Sequence, residues 1–136
     1  EKWEKSDKLY TKLITINDQD AQAYNNFAYS LVERNTDLEF ALTLSKKAIE
    51  ISPNTSAYLD TIGWIYYKLS DLEKAKDFIS KAILYEDTSA VILEHYGDVL
   101  IDLNEVKEAL IFYRKALLLD ENNEDLISKI SSNENQ

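Results

Sequence analysis

The side chains best placed to do chemistry fall in one stretch, Glu94-His95-Tyr96-Gly97-Asp98, with Asp102 four residues further on. His95 is the only histidine in the chain. On a helix, this spacing brings an imidazole and carboxylates to neighbouring positions, the donor types of a divalent-metal site or an acid–base pair. A catalytic metal site needs about three protein ligands that converge and are themselves held in place, and carboxylates along one straight helix seldom do so. The absence of Cys excludes disulfides, thiolate metal sites and thiol catalysis. With 2 Gly there is no material for a phosphate-cradling loop, and no Walker motif, GxGxxG or nucleophile elbow occurs. The reading is a non-catalytic chain with no catalytic residue, metal or cofactor. Trp64, Tyr67 and Tyr29 are of the residue types that anchor interfaces most often.

Composition narrows the partners. The 136 residues suit one domain, and 15 Lys+Arg against 25 Asp+Glu give a net charge of −10. Such a balance opposes unspecific nucleic-acid or anionic-membrane binding and favours cationic partners. No apolar run approaches the ~18 residues of a membrane span, so no direct membrane insertion is expected, and Glu1-Lys2-Trp3-Glu4-Lys5 has no signal-peptide core. The sequence opens without Met inside a helical pattern, which suggests a piece of a longer chain. The compartment stays open, because a chain without Cys folds in oxidising or reducing surroundings.

An internal period of 34 supplies the elements. Gly63 and Gly97 are 34 apart, as are Ala75 and Ala109, and Ala48, Ala82 and Ala116 repeat the interval. Leu59, Ile62, Gly63 and Tyr66 stack over Leu93, Tyr96, Gly97 and Leu100 as one amphipathic stripe; Ala75, Ile79 and Ala82 stack over Ala109, Tyr113 and Ala116 as a second. Small residues at matching places in helices signal close helix-to-helix approach, so each period is a helical hairpin. With 1 Pro and 2 Gly an all-β fold is improbable. Thr36-x-x-Glu39 and Ser70-x-x-Glu73 have the spacing of capping boxes, Asn104 occupies the matching place before Glu105, and Asn54-Thr55-Ser56 offers caps after Pro53. Helices are expected near 2–15, 20–34, 37–51, 56–69, 72–85, 89–102, 105–119 and 123–131.

These positions resemble the tetratricopeptide (TPR) pattern, W-x2-L-G-x2-Y, then A-x3-F, then P. Full copies are 21–55 (Tyr24, Phe27, Ala28, Leu31, Ala41, Ala48 and Pro53, with one extra residue near Asn35-Thr36-Asp37), 56–89 and 90–123. Ser45 replaces the aromatic of the first copy, and Leu stands where Trp is usual. Residues 1–20 resemble the second helix of a truncated repeat, with Trp3, Tyr10 and Leu13 inward. Residues 124–136 form a capping helix and tail, with Leu126, Ile127 and Ile130 covering the last repeat, Glu124, Asp125 and Lys129 facing water, and 132–136 frayed. The resemblance implies an all-α fold, a right-handed superhelical solenoid of antiparallel helix pairs forming one TPR domain over 1–136. The wording Asp60-Thr61-Ile62-Gly63-Trp64 and Glu94-His95-Tyr96-Gly97-Asp98 is similar to repeats of bacterial, often envelope-associated, TPR proteins.

The resemblance further implies a concave groove, lined by first helices, that holds peptides or helices. Residues opposite the core stripe become the groove candidates: Asn25, Tyr29 and Glu33, then Asp60, Trp64 and Lys68, then Glu94, Asp98 and Asp102, flanked by Thr61, Tyr67 and His95. Trp64 has a second reading, packing on a neighbouring helix. The acidic stripe of the last first helix is either a solvated face or a wall for a partner's Lys or Arg. The family's carboxylate clamp is absent, since Tyr29, Thr61, Val91 and His95 stand where polar or basic members are needed, so tails ending EEVD are not expected ligands. Two functions follow: a protein-protein interaction module for a segment with apolar and basic residues, or an assembly scaffold that self-associates through the N-terminal half repeat as a homodimer.

Overall fold

The computed structural model describes residues 2–135, and all regular structure there is helical. Eight helices follow in order: α1 (Lys2–Ile16), α2 (Ala21–Glu33), α3 (Leu38–Ile51), α4 (Ser56–Lys68), α5 (Leu72–Tyr85), α6 (Ala90–Asp102), α7 (Val106–Leu119) and α8 (Glu124–Asn133). Each agrees with its expected span to within a residue or two. Residues 1 and 136, the outer limits of the expected terminal segments, lie outside the described residues.

The hairpins close because their inner faces are small. An added Cβ at Gly63 would stand 2.5 Å from Ile79 Cγ1, and one at Gly97 would overlap the Tyr113 ring. The facing columns Ala41, Ala75, Ala109 and Ala48, Ala82, Ala116 are fully buried. In the first hairpin the glycine place holds Ala28, and the residue matching Ile79 and Tyr113 is Ser45, both fully buried. One side of the contact gains a methyl and the other loses bulk, so the helices keep their approach.

Turn chemistry departs from the capping boxes. After α2, α4 and α6 the chain enters the left-handed region at Asn35 (φ 53°), Ser70 (φ 66°) and Asn104 (φ 65°). The next amide reaches back to a carbonyl five residues earlier: Thr36 N to Leu31 O, Asp71 N to Tyr66 O, Glu105 N to Leu100 O. These are Schellman closures, and they assign Thr36, Ser70 and Asn104 to helix ends instead of helix starts. The N-cap residues are Asp37, Asp71 and Glu105, and only Asp71 accepts from a backbone amide, that of Lys74. Thr55 caps α4 without a side-chain bond, its hydroxyl lying 2.6 Å from Ser52 Oγ. The extra residue of the first copy is absorbed at Asp37, also left-handed (φ 47°).

First helices touch one another, α2 with α4 and α4 with α6, whereas second helices meet mainly the first helices on either side. The array therefore curves with α2, α4 and α6 on its inner side. Its ends differ from expectation in four ways. On α1, Tyr10 and Ile14 face the core, Tyr10 stacking on Phe27, while Leu13 is exposed and Trp3 is half-exposed with Arg34 over its ring. On α8, Leu126 and Ile130 are buried, but Ile127 is 47% exposed, because it occupies the place that a following second helix would cover. Lys129 turns toward the concave face instead of water, and the helix runs to Asn133, past the start of the expected frayed tail.

Candidate functional site

The concave face is built from three columns of equivalent positions. The first holds Asn25, Asp60 and Glu94; the second Thr61, His95 and Lys129; the third Tyr29, Trp64 and Asp98. Contacts between columns repeat with the chain. His95 Nδ1 lies 3.0 and 3.1 Å from the two oxygens of Asp60. One period later Lys129 Nζ donates to Glu94 Oε2 at 2.7 Å. An acid on one first helix thus takes a nitrogen donor from the next, and Glu94 and Asp98 of the acidic stripe share one counter-charge, Lys129, within the fold.

Because a carboxylate only accepts, the Asp60 contact fixes a proton on His95 Nδ1. Both side chains are largely buried. His95 stacks on Trp64, ring centroids 3.8 Å apart, and Trp64 stacks on Tyr67 at 4.6 Å. Trp64 is only 8% exposed. The structure places it in an inter-repeat stack with little surface left for the groove, which favours the packing reading of this residue. Lys68 Nζ lies 5.2 Å from its ring centroid.

Asp98 is held twice. Tyr113 Oη donates to Asp98 Oδ1 at 2.6 Å, and Lys129 Nζ lies 3.0 Å from Oδ1 and 3.2 Å from Oδ2. Burial, then the hydrogen bond to Asp98 and the charges of Asp98 and Glu94, push the Tyr113 phenol well above its ordinary range. Tyr67 is raised likewise by burial and by its hydrogen bond to Asp102. For Lys129, burial pulls the ammonium down, and the hydrogen bonds to Glu94 and Asp98 outweigh it, leaving a net rise.

The remaining candidates separate by exposure. Asn25 is buried, and its Oδ1 has no hydrogen-bond partner. Asp60 is consumed by His95. Tyr29 is 38% exposed, its phenol raised by burial and by the charges of Glu33 and Asp60. Glu33 is exposed and has no ion-pair partner among the described residues. An open pocket of about 330 Å³ gathers Val32, Glu33, Trp64, Lys68, Val91, Glu94, His95, Asp98 and Lys129. Among the described residues no group of three or more His, Asp or Glu could hold a metal ion. Sequence reasoning missed Lys129; its position one period after His95 was the available signal.

Residues 57–88 and 90–123 match the tetratricopeptide repeat family model. The pairs α4–α5 and α6–α7 are tetratricopeptide repeats. The chain is 30% identical to YrrB, a TPR protein described as having an unusual peptide-binding site, over 89% of its own length and 62% of that chain, with a TM-score of 0.79. It therefore spans less than two thirds of YrrB. TTC0263 of Thermus thermophilus, a thermophilic TPR protein, superposes with a TM-score of 0.81 at 21% identity, covering 96% of this chain and 72% of that one. The first TPR of Spaghetti (RPAP3), bound to the HSP90 peptide SRMEEVD, gives 0.79 at 15% identity over 86% and 92%. No curated protein matches the sequence significantly. TPR domains generally mediate protein–protein interactions.

Proposed function

We propose that this TPR array is a non-catalytic interaction module whose concave face holds a peptide or helix carrying apolar and basic residues. The pocket beside Trp64 carries the reading: the exposed Val91 and the small remaining surface of Trp64 offer apolar contact while Glu33 presents an unpaired carboxylate. Tyr29 extends the same surface as an exposed aromatic, the kind of residue that anchors interfaces. The TPR structures with described peptide sites support a protein segment as ligand.

The variants that test this are set by exposure. Trp64 and Asp98 are tied into the fold, so Tyr29→Ser with Glu33→Lys is the cleaner change. Immobilised parent and double variant are compared as baits in source-cell lysate. Proteins retained by the parent alone and released by added salt support the groove; identical lists from both baits overturn it.

A second reading, an assembly scaffold pairing as a homodimer, is favoured by the outer face of α1, where Leu9 (57%) and Ile16 (71%) are exposed beside Leu13. Mass measured by light scattering would double with concentration for the parent and stay monomeric for Leu9→Ser/Ile16→Ser. A bacterial, envelope-associated origin belongs with these proposals.

A further inference from the structure

The C-terminal end of the groove holds a finished cation site. Two carboxylates, Glu94 and Asp98, meet one ammonium, and the Tyr113 ring faces it with its centroid 5.8 Å from Nζ. Asp98 is fixed in place by the Tyr113 hydroxyl. The occupant arrives from a separate element: α8 is anchored on the last repeat by Leu126 and Ile130, and Lys129 reaches in between those two anchors. The Lys129 side chain is 34% exposed, more than either carboxylate at 18% and 16%. Its stem can therefore swing out while α8 stays seated. The site also forms one wall of the pocket that contains Val91 and Trp64.

We propose that Lys129 is an internal stand-in for a basic side chain of the groove's partner, and that a Lys or Arg of a bound segment takes the place between Glu94 and Asp98 by displacing it. The inference rests on the groove reading above and adds how the groove is regulated: the acidic wall is masked in the free protein, so weakly basic segments are rejected and only a ligand that also fills the apolar part of the pocket gains entry. A positive group in water gains little from a single exposed carboxylate, whereas two adjacent, largely buried carboxylates, one of them fixed by the Tyr113 hydroxyl, form a preorganised receptor.

The test uses the full chain and small probes, N-acetyl-arginine methylamide and N-acetyl-lysine methylamide, with the norleucine analogue as uncharged control. Binding is followed by amide and indole NMR shifts of Glu94, Asp98 and Trp64. Lys129→Met keeps the aliphatic stem and vacates the site; Lys129→Gln serves if the Met variant loses its helical spectrum. The variant should bind both charged probes saturably, about tenfold or more tightly than the parent, and Glu94→Gln/Lys129→Met should lose that gain. Equal titration of parent and variant, no saturable binding by the folded variant, or equal binding of the norleucine analogue each overturns the proposal. Tyr29 and Glu33 lie outside this site, so failure of the capture experiment and failure of this one are separate results.

Discussion

At the N-terminal end of the concave face, the positions that join successive first helices hold Asn25 and Thr61; one period on they hold Asp60 and His95, and one further Glu94 and Lys129. The backbone frame is the same. The later rungs are filled by an acid and a base in contact, while at the first Thr61 turns its hydroxyl to the Ala57 carbonyl and Asn25 Oδ1 is left unpaired. Among the described residues, the buried unpaired side-chain atoms, Asn25 Oδ1, Ser30 Oγ and Ser45 Oγ, all belong to α2 and α3. The repeat frame thus tolerates a neutral rung, and the charged rungs are local additions that tie α4, α6 and α8 together. The exposed, uncommitted groove residues Tyr29 and Glu33 lie at the neutral end.

The largest expected effect comes from closing the helix contact that differs most between the ends. Gly97→Ala drives a methyl into the Tyr113 ring, which is buried and hydrogen-bonded to Asp98. Overpacking of this kind costs more than the ~1 kcal/mol that Ala gains over Gly in a helix, for a net loss of about 2 kcal/mol. Gly63→Ala meets Ile79, a flexible aliphatic chain, and should cost roughly half of that. Thermal melts followed by circular dichroism measure both. Equal losses would mean that the Tyr113–Asp98 bond adds nothing to the rigidity of the last hairpin.

The rungs themselves give the next effect. Asp60→Ala strands the His95 Nδ1–H in a buried setting and should cost about 2 kcal/mol, since an unmade buried hydrogen bond carries the desolvation cost of its donor. Glu94→Ala leaves Lys129 its bond to Asp98 and partial access to water, so the loss should stay under about 1 kcal/mol. Asn25→Ala, at the neutral rung, removes an acceptor that is already unpaired and should be near zero or slightly stabilising. Urea titration of the three variants orders them directly. A result in which Asn25→Ala costs as much as Asp60→Ala would erase the distinction between the two ends.

The fold was legible in the sequence because its controlling signals are short and periodic: Gly63 and Gly97, and the alanines at 34-residue spacing, report the helix contact without reference to anything distant. The site was legible only in part. Four-residue spacing marks which side chains leave the core stripe, but exposure depends on the neighbouring repeat. Trp64 looks like a contact residue until His95 and Tyr67 close over its faces. Glu94 and Asp98 look like an unopposed wall until Lys129 arrives from 31 and 35 residues away in the chain. Pairings between repeats follow from carrying the 34-residue period through α8, whose short polar sequence hides it. The caps were misplaced by one residue for a similar reason: Ser and Thr before an acidic turn read as helix starts, while the preceding helix uses the same residues to finish.

Ser70 makes that last point measurable. It holds φ 66°, in the region where a side chain costs most and glycine costs nothing, and the matching positions are filled by Asn35 and Asn104, which tolerate it better than Ser. Its amide and that of Asp71 already close the end of α4 on Tyr67 O and Tyr66 O, so neither bond depends on the hydroxyl. Ser70→Gly should therefore stabilise the array by about 0.5–1 kcal/mol, the gain from relieving the left-handed conformation less the added freedom of the unfolded chain. Asn104→Gly should gain less, because Asn starts from a smaller penalty. Were Ser70 a helix N-cap instead, the same substitution would be neutral or slightly destabilising, so the sign of the shift in melting temperature decides which helix owns the residue.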